Sequence, residues 1–130
     1  MTFFDPLRKK EVAATPEEKV RQWFIGVLRD EAGVPVHMMM SEVPLAYGQK
    51  PLRADIVIYR RDLSPAAIVE CKRPDVTLGP ITADQALLYN GVLGVNWIVL
   101  TNGKTTYIYK RKGDGFAAAD HLPSWNEITQ

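Results

Sequence analysis

Two neighbouring runs rich in Ile and Val constrain the fold more than any other feature of the chain. The runs Arg53 to Tyr59 and Ala66 to Lys72 are separated by the polar segment 60–65. β-branched runs of this length predict strands, and a short polar separator predicts that the two strands pair as a hairpin. We therefore expect a sheet built around this hairpin.

The predicted hairpin brings three ionisable side chains together at its open end. If the turn is centred between residues 62 and 63, the residue numbers of two paired residues sum to about 125. This rule gives the pairs Tyr59–Ala66, Val57–Ile68 and Asp55–Glu70. Lys72 shares a face with Glu70, because residues two apart on a strand point the same way. The opposite face is apolar and predicted to be core; it carries Ile56, Ile58, Ala67, Val69 and Cys71.

Two carboxylates side by side on an apolar hairpin need a compensating charge. Opposed like charges destabilise a ladder, and carboxylates about 5 Å apart do not both ionise easily. A divalent cation such as Mg²⁺ or Mn²⁺ on Asp55 and Glu70 would relieve the repulsion, and could polarise a phosphodiester while Lys72 stabilises the developing charge. The simpler alternative is an ion pair of Lys72 with both acids. A register slip of one residue would separate Asp55 from the other two.

A helix is predicted over residues 16–31. Thr15 suits the N-cap and Pro16 the first helical position, and Glu18 completes a capping box that by itself explains that glutamate. Gly33 and Pro35 indicate the end of the helix. Apolar residues recur at helical spacing and predict a core-facing stripe of Val20, Trp23, Phe24, Val27 and Leu28.

The remaining patterns complete one mixed α/β sheet of about five strands flanked by helices, in the order α-β-β-β-α-β-β. Asn102-Gly103 between two β-rich runs is a strong hairpin signal. The other predicted elements are a strand from Val36 to Val43 ended by Pro44, a loop over 46–51, a helix from Ile81 to Leu93, and strands Trp97–Thr101 and Thr105–Lys110. On the second helix, Gln85 and Tyr89 lie four residues apart and face the same way.

Composition restricts the class of protein. Apolar residues make up 46% of the 130-residue chain and the net charge is +1, which suits a soluble globular domain and excludes a disordered or strongly basic one. We expect a single domain over 1–130, with an N-terminal arm over 1–14 and an unassigned tail over 113–130. The lone Cys71, the absence of a signal-like start and the absence of a long apolar run favour a cytoplasmic protein without a membrane span. His37 and His121 have no neighbours at zinc-ligand spacing.

The ordered motifs resemble a known family. Asp55 followed by Ile68-Val69-Glu70-Cys71-Lys72 resembles the PD-(D/E)xK nuclease signature of restriction-endonuclease-like folds. Three further segments sharpen the resemblance to the N-terminal nuclease domain of type I restriction enzyme restriction subunits, including its stand-alone relatives. They are Thr15 to Gln22, Gln85 to Asn90, and Leu100 to Gly103.

The resemblance implies a role for each matching residue. Asp55 and Glu70 would be metal ligands together with the Cys71 carbonyl, and Lys72 the catalytic lysine. Gln85 and Tyr89 would match a QxxxY element on the DNA side of the site, and Glu18 or Glu17 would complete the site. The sequence departs from the family in two respects: Ala54 replaces the signature proline, and no helicase motif is present, so ATP-driven translocation does not carry over.

Two functions stay open at this point. The first is a Mg²⁺- or Mn²⁺-dependent DNA nuclease, in which Arg53, Arg73 and Lys10 are candidates for contacts to DNA. The second is a nucleic-acid-binding module that keeps the nuclease fold but is silent or depends on a partner subunit. The balanced charge favours the second function, whereas the intact acid-acid-lysine set favours the first. A homodimer would double the basic surface.

Overall fold

A computed structural model describes residues 1–47, 50–81 and 94–130, and it opens with a β-hairpin. Strand β1 (Thr2–Asp5) pairs antiparallel with β2 (Lys10–Ala13) as a separate two-stranded sheet. A backbone hydrogen bond of 3.1 Å from Ala14 N to Met1 O closes its open end. The segment predicted as an arm is therefore regular structure.

Helix α1 (Pro16–Asp30) confirms the predicted first helix. Thr15 is the N-cap, and its Oγ1 accepts a 3.1 Å hydrogen bond from Glu18 N. The capping box also predicts a hydrogen bond from the Thr15 N–H to the Glu18 carboxylate, and this prediction is wrong. The Thr15 N–H donates to Ala13 O, and the Glu18 carboxylate binds Arg8 and Gln22. After the helix, Gly33 adopts a φ of +76°, which glycine tolerates without strain.

The buried face of α1 follows the predicted stripe with one exception. Val20, Phe24 and Leu28 are buried, whereas Trp23 is 48% exposed. Trp23 instead lies edge-on to the Phe24 ring, with 5.6 Å between the ring centroids. Helical spacing places Trp23 near the stripe, but spacing alone does not show whether a residue at the edge of the stripe is buried.

A six-stranded mixed sheet forms the body, in the spatial order β3-β4-β5-β6-β7-β8. Only β5 and β6 run parallel, and the other neighbours are antiparallel. The strands are β3 (Met39–Tyr47), β4 (Lys50–Tyr59), β5 (Pro65–Cys71), β6 (Trp97–Thr101), β7 (Thr106–Lys112) and β8 (Gly115–Ala118). The predicted mixed α/β fold is confirmed.

Strand β3 differs from its prediction at both ends. Val36–Met38 form a 3₁₀ turn, and the strand then continues through Pro44 instead of stopping there. Because β3 is an edge strand, it tolerates a proline that lacks a donor. Most of the predicted loop over 46–51 also belongs to strands, since Ala46 pairs with Pro51 and Tyr47 with Lys50.

The β4–β5 hairpin has the predicted register along most of its length. Val57 pairs with Ile68, and Ile56 with Val69. The predicted Tyr59–Ala66 pair is wrong, because an irregularity after Ile58 makes Tyr59 pair with Pro65.

The C-terminal third contains more structure than the patterns predict. The Asn102-Gly103 turn joins β6 to β7 as predicted, with Gly103 at a φ of +85°. The tail adds strand β8 and the short helix α2 (Trp125–Ile128), capped by Ser124. The predicted helix over 81–93 lies outside the described residues, so the full predicted order stays untested.

The sheet is buried on both faces near its centre. One cluster beneath α1 contains all five residues of the predicted apolar face, Ile56, Ile58, Ala67, Val69 and Cys71. A second cluster on the other face contains Ala54, Val57, Ile68, Ile98 and Leu100. Across the described ranges, no helix is long and apolar enough to cross a membrane.

Candidate metal-dependent nuclease site

Asp55 and Glu70 come together at the open end of the β4–β5 hairpin. Asp55 directly precedes the last ladder pair, Ile56–Val69, and Glu70 directly follows it. Asp55 Oδ2 accepts a 2.7 Å hydrogen bond from the backbone N–H of Cys71, so the aspartate is tied to the strand that carries Glu70. The predicted proximity of the two carboxyl groups is therefore a feature of the structure.

The pKa of Glu70 reflects its burial and its proximity to Asp55. Burial, the neighbouring charge of Asp55 and a hydrogen bond to that carboxyl raise the pKa of Glu70 to about 9, whereas the charge of Lys72 opposes the rise. Glu17, at the start of α1, adds further negative charge. Such a shift is typical of two acids that share a site without a cation.

Lys72 follows the last residue of β5 and is exposed. Its backbone N–H donates a 2.9 Å hydrogen bond to Thr101 O on β6, which fixes the chain at this position. The side chain thus remains at the surface beside the acid pair, within electrostatic range of Glu70.

Cys71 separates the two site residues on β5 and points into the core. It is fully buried beneath α1, and burial raises the pKa of its thiol well above the usual range. A thiol that stays protonated is a poor nucleophile, which agrees with the predicted core role of the side chain.

A partly buried network of charges adjoins the acid pair and was not predicted. Arg21 on α1 is only 7% exposed and lies near three carboxylates: its Nε is 3.4 Å from Glu18 Oε2, its Nη1 is 3.5 Å from Glu42 Oε1, and its Nη2 is 3.8 Å from Asp55 Oδ1. Arg21 Nη1 also donates a 2.9 Å hydrogen bond to Ser41 Oγ. Within the part of the chain that the structure describes, its Nε has no hydrogen-bond partner.

Arg8, in the turn between β1 and β2, joins the same network. Its Nη2 donates a 2.6 Å hydrogen bond to Glu18 Oε1, and its Nη1 lies 3.5 Å from Glu42 Oε1. Its Nε binds the fully buried carboxylate of Asp5. We call Arg8, Glu18, Arg21 and Glu42 the charge ring, since each arginine contacts both glutamates.

Glu42 occupies an unusual backbone position within the ring. Its φ of +54° is rare for a residue with a side chain. The residue interrupts the β3–β4 ladder between the pairs Ser41–Ile56 and Val43–Ala54, opposite Asp55. Left-handed non-glycine residues cluster at functional sites. No local sequence signal marks this position.

The sequence could have revealed part of this network. Glu18 and Arg21 stand at the i, i+3 spacing that brings helical side chains together, and that spacing is a usable signal. Arg8 and Glu42 are distant in sequence from α1, so only the fold brings them there.

Glu18 and Glu17 differ in their surroundings. Glu18 is buried, and its carboxylate is bound by Arg8, Arg21 and Gln22. Glu17 is less buried and lines an open cleft of about 450 Å³ together with Arg8, Arg21 and Lys10. The cleft therefore connects the charge ring with solvent.

The three basic residues predicted to contact DNA are all exposed. Arg53 is 3.8 Å from Glu42 and Arg73 is 3.3 Å from Asp75, both as surface ion pairs. Lys10 lies at the rim of the cleft. Gln85 and Tyr89 fall outside the described residues.

The donor set suits one hard cation held by few protein ligands. Within the described ranges no three His, Cys, Asp or Glu side chains are arranged to hold a metal ion. Mg²⁺ is typically bound by one or two carboxylates and keeps several waters. Two adjacent carboxyl groups, one of them with a strongly raised pKa, match that chemistry.

Comparison of the chain with known protein families identifies the class of protein to which this sheet and its acid pair belong. The profile of the family described as the N terminus of the type I restriction enzyme R protein matches residues 16–123. The chain belongs to this family. The β1–β2 hairpin lies before the matched segment.

A solved structure shares the fold of this chain. The chain is similar to a fragment assigned to the HsdR subunit of a type I restriction enzyme from Vibrio vulnificus YJ016, with a TM-score of 0.66 and 21% identity. The match covers 90% of this chain and 25% of that one, so this chain spans a quarter of the length of its structural relative. No curated protein matches the chain significantly.

Proposed function

We propose that the chain is a Mg²⁺- or Mn²⁺-dependent nuclease that hydrolyses phosphodiester bonds of DNA. The observation that carries this proposal is that Asp55 and Glu70 lie together at the open end of the hairpin. Burial, followed by the neighbouring Asp55 carboxyl, raises the pKa of Glu70 to about 9. A divalent cation would replace the proton and let both carboxylates ionise. Membership of the type I restriction R-protein family supports a nuclease over other phosphodiesterases.

Asp55, Glu70 and the carbonyl of Cys71 would hold the cation. When bound, the cation polarises the phosphodiester and lowers the pKa of an attacking water. Asp55 is held in place by the Cys71 N–H and Glu70 by its strand, so both ligands are ordered by the backbone.

Lys72 would act on the substrate side. Its exposed ammonium, next to Glu70, is free to orient the attacking water or to stabilise charge on the phosphoryl oxygens. Glu70 must release its proton before it can serve as a ligand, and the charge of Lys72 favours that release.

Exposed basic residues would contact the DNA backbone. Arg53 and Arg73 flank the acid pair in sequence, and their partners are surface carboxylates that solvent already screens. Lys10 at the cleft, and Gln85 and Tyr89 on the segment after Lys72, are the further candidates.

The family also suggests partners. A type I restriction R protein is by its name a subunit of a larger enzyme, so other subunits are proposed partners of this chain. A homodimer that presents two sites to two strands is a second proposed assembly. ATP-driven translocation is not proposed.

Cleavage of supercoiled plasmid tests the proposal. The purified chain with Mn²⁺ or Mg²⁺ should nick plasmid, and Asp55→Asn or Glu70→Gln should lower the rate by at least about 100-fold. Asp114→Asn is the matched control, because Asp114 is an exposed acid in the β7–β8 turn.

Other outcomes decide against the nuclease. If plasmid stays intact in every metal but the chain still binds DNA in a salt-dependent manner, the chain is a binding module or needs a partner subunit. If both acid variants cleave as the wild-type chain does, the acid pair is not the site.

A further inference from the structure

We propose that Arg21 is a positioning residue for Asp55, and that the N-terminal β-hairpin holds Arg21 in place through Arg8. This inference rests on the proposed metal site but concerns residues that the proposal itself does not use. It makes residues 1–13, which precede the family match, a working part of the site.

Arg21 links the Asp55 carboxylate to helix α1. Asp55 Oδ2 accepts from Cys71 N, whereas Oδ1 faces Arg21 Nη2 at 3.8 Å. Ser41 strengthens the link, since its Oγ accepts from Arg21 Nη1 and donates a 3.1 Å hydrogen bond to the Asp55 carbonyl. Arg21 therefore contacts both the side chain and, through Ser41, the backbone of Asp55.

The guanidinium of Arg21 has one short hydrogen bond, to Ser41 Oγ, and longer contacts of 3.4–3.8 Å to three carboxylates. Its Nε is buried and has no hydrogen-bond partner among the described residues. A buried donor without a hydrogen bond is unfavourable, so the position of Arg21 needs a physical explanation. Its placement between Asp55 and the two glutamates supplies one.

Arg8 fixes that position from the hairpin. It binds both glutamates that Arg21 contacts, so the four side chains alternate in charge around the ring. Asp5, fully buried, holds Arg8 from the other side. The strained backbone of Glu42 closes the ring opposite Asp55. Movement of the hairpin would thus reach Asp55 through two arginines.

Calorimetric titration with Mn²⁺ tests the inference without using activity. Residues that orient a metal ligand typically change metal affinity or activity 10- to 100-fold when removed. We expect Arg21→Met to weaken Mn²⁺ binding by roughly 10-fold or more, and Arg8→Met to weaken it by a smaller factor in the same direction. Arg21→Lys should recover part of the loss, because it keeps the charge but not the fork of donors.

The matched control is Arg29→Met, since Arg29 lies on the same helix in an exposed pair with Asp30. Thermal unfolding of each variant separates a structural role from a positioning one. Lower stability with unchanged Mn²⁺ affinity would overturn the inference, and so would tighter binding, which would mean that Arg21 acts only as an opposing charge. If Arg21→Met does not fold, Arg21→Lys and Arg8→Met carry the test.

The proposed function and this inference fail in different ways. If the wild-type chain and Arg29→Met bind no Mn²⁺, the proposed site is wrong, and the inference falls with it. If both bind Mn²⁺ and Glu70→Gln does not, but the Arg21 and Arg8 variants bind as the wild-type chain does, only the inference is wrong.

Discussion

The backbone N–H of Cys71 donates a 2.7 Å hydrogen bond to Asp55 Oδ2, just beyond the last regular pair of the β4–β5 hairpin. This bond joins one acid of the site to the strand that carries the other. The Asp55 carboxylate thus accepts a hydrogen bond from the β5 backbone where the regular β4–β5 pairing ends. This bond holds the two acids together at the open end of the hairpin.

The stability of the metal-free chain should fall as pH rises. Glu70 has a pKa of about 9 in the folded chain, against 4.5 ordinarily, so between these values the folded state holds a proton that the unfolded state has released. The free energy of unfolding should therefore decrease across this range, by on the order of a few kcal/mol. Urea unfolding at several pH values with a chelator measures it. Glu70→Gln should flatten the curve, and parallel curves for the two chains would show that Glu70 does not titrate this way.

The Asp5–Arg8 pair should anchor the N-terminal hairpin. Arg8→Met leaves the buried carboxylate of Asp5 without its charged partner and removes one of the three side chains that bind Glu18, so we expect it to lower the free energy of unfolding by about 3 kcal/mol. Asp5→Asn should also destabilise, and the double variant should lose less than the sum of the two. Urea unfolding of all four chains gives this coupling. Additive losses would mean that the pair does not act as a unit.

Asn102 should stabilise the chain beyond its turn. Its Oδ1 accepts from the N–H groups of Lys104 and Thr105, and its Nδ2 donates a 2.8 Å hydrogen bond to Val76 O in the segment after Lys72. Asn102→Ala should lower the free energy of unfolding by about 2–3 kcal/mol, since it removes three hydrogen bonds that each contribute about 1 kcal/mol. The exposed Asn126→Ala is the control, and similar losses in both variants would contradict the assignment.

The single thiol should be unreactive in the folded chain. Cys71 is fully buried and the pKa of its thiol is raised, so little thiolate is available to react. A colourimetric disulfide reagent should modify one thiol per chain in denaturant and almost none in native buffer over the same time. Rapid modification of the native chain would contradict the burial of this side chain.

The site was predictable from sequence where its geometry is local. A turn between two apolar runs fixes hairpin register, so the proximity of Asp55 and Glu70 followed from the position of the turn alone. The irregular pairing of Tyr59 with Pro65 did not disturb it, because the shift lies at the turn end of the hairpin. The Thr15 cap was likewise a local property.

The parts that depend on tertiary contacts were not predictable. The capping box predicts that the Glu18 carboxylate binds the Thr15 N–H. In the structure the carboxylate instead contacts Arg8 and Arg21. Pro44 was expected to end a strand, but no local pattern shows that the strand lies at a sheet edge. Trp23 fits the helical stripe but lies at the surface. Residue spacing shows which face of a helix a side chain is on, but not whether another element covers it.

Lys72→Met, assayed for Mn²⁺ binding and for plasmid cleavage on the same sample, separates metal binding from catalysis at the acid pair. We expect the variant to bind Mn²⁺ at least as well as the wild-type chain, because Asp55 and Glu70 remain, while cleavage falls by roughly 100-fold or more. Lys112→Met, at the end of β7, should cleave normally. Undiminished cleavage by Lys72→Met would contradict the account.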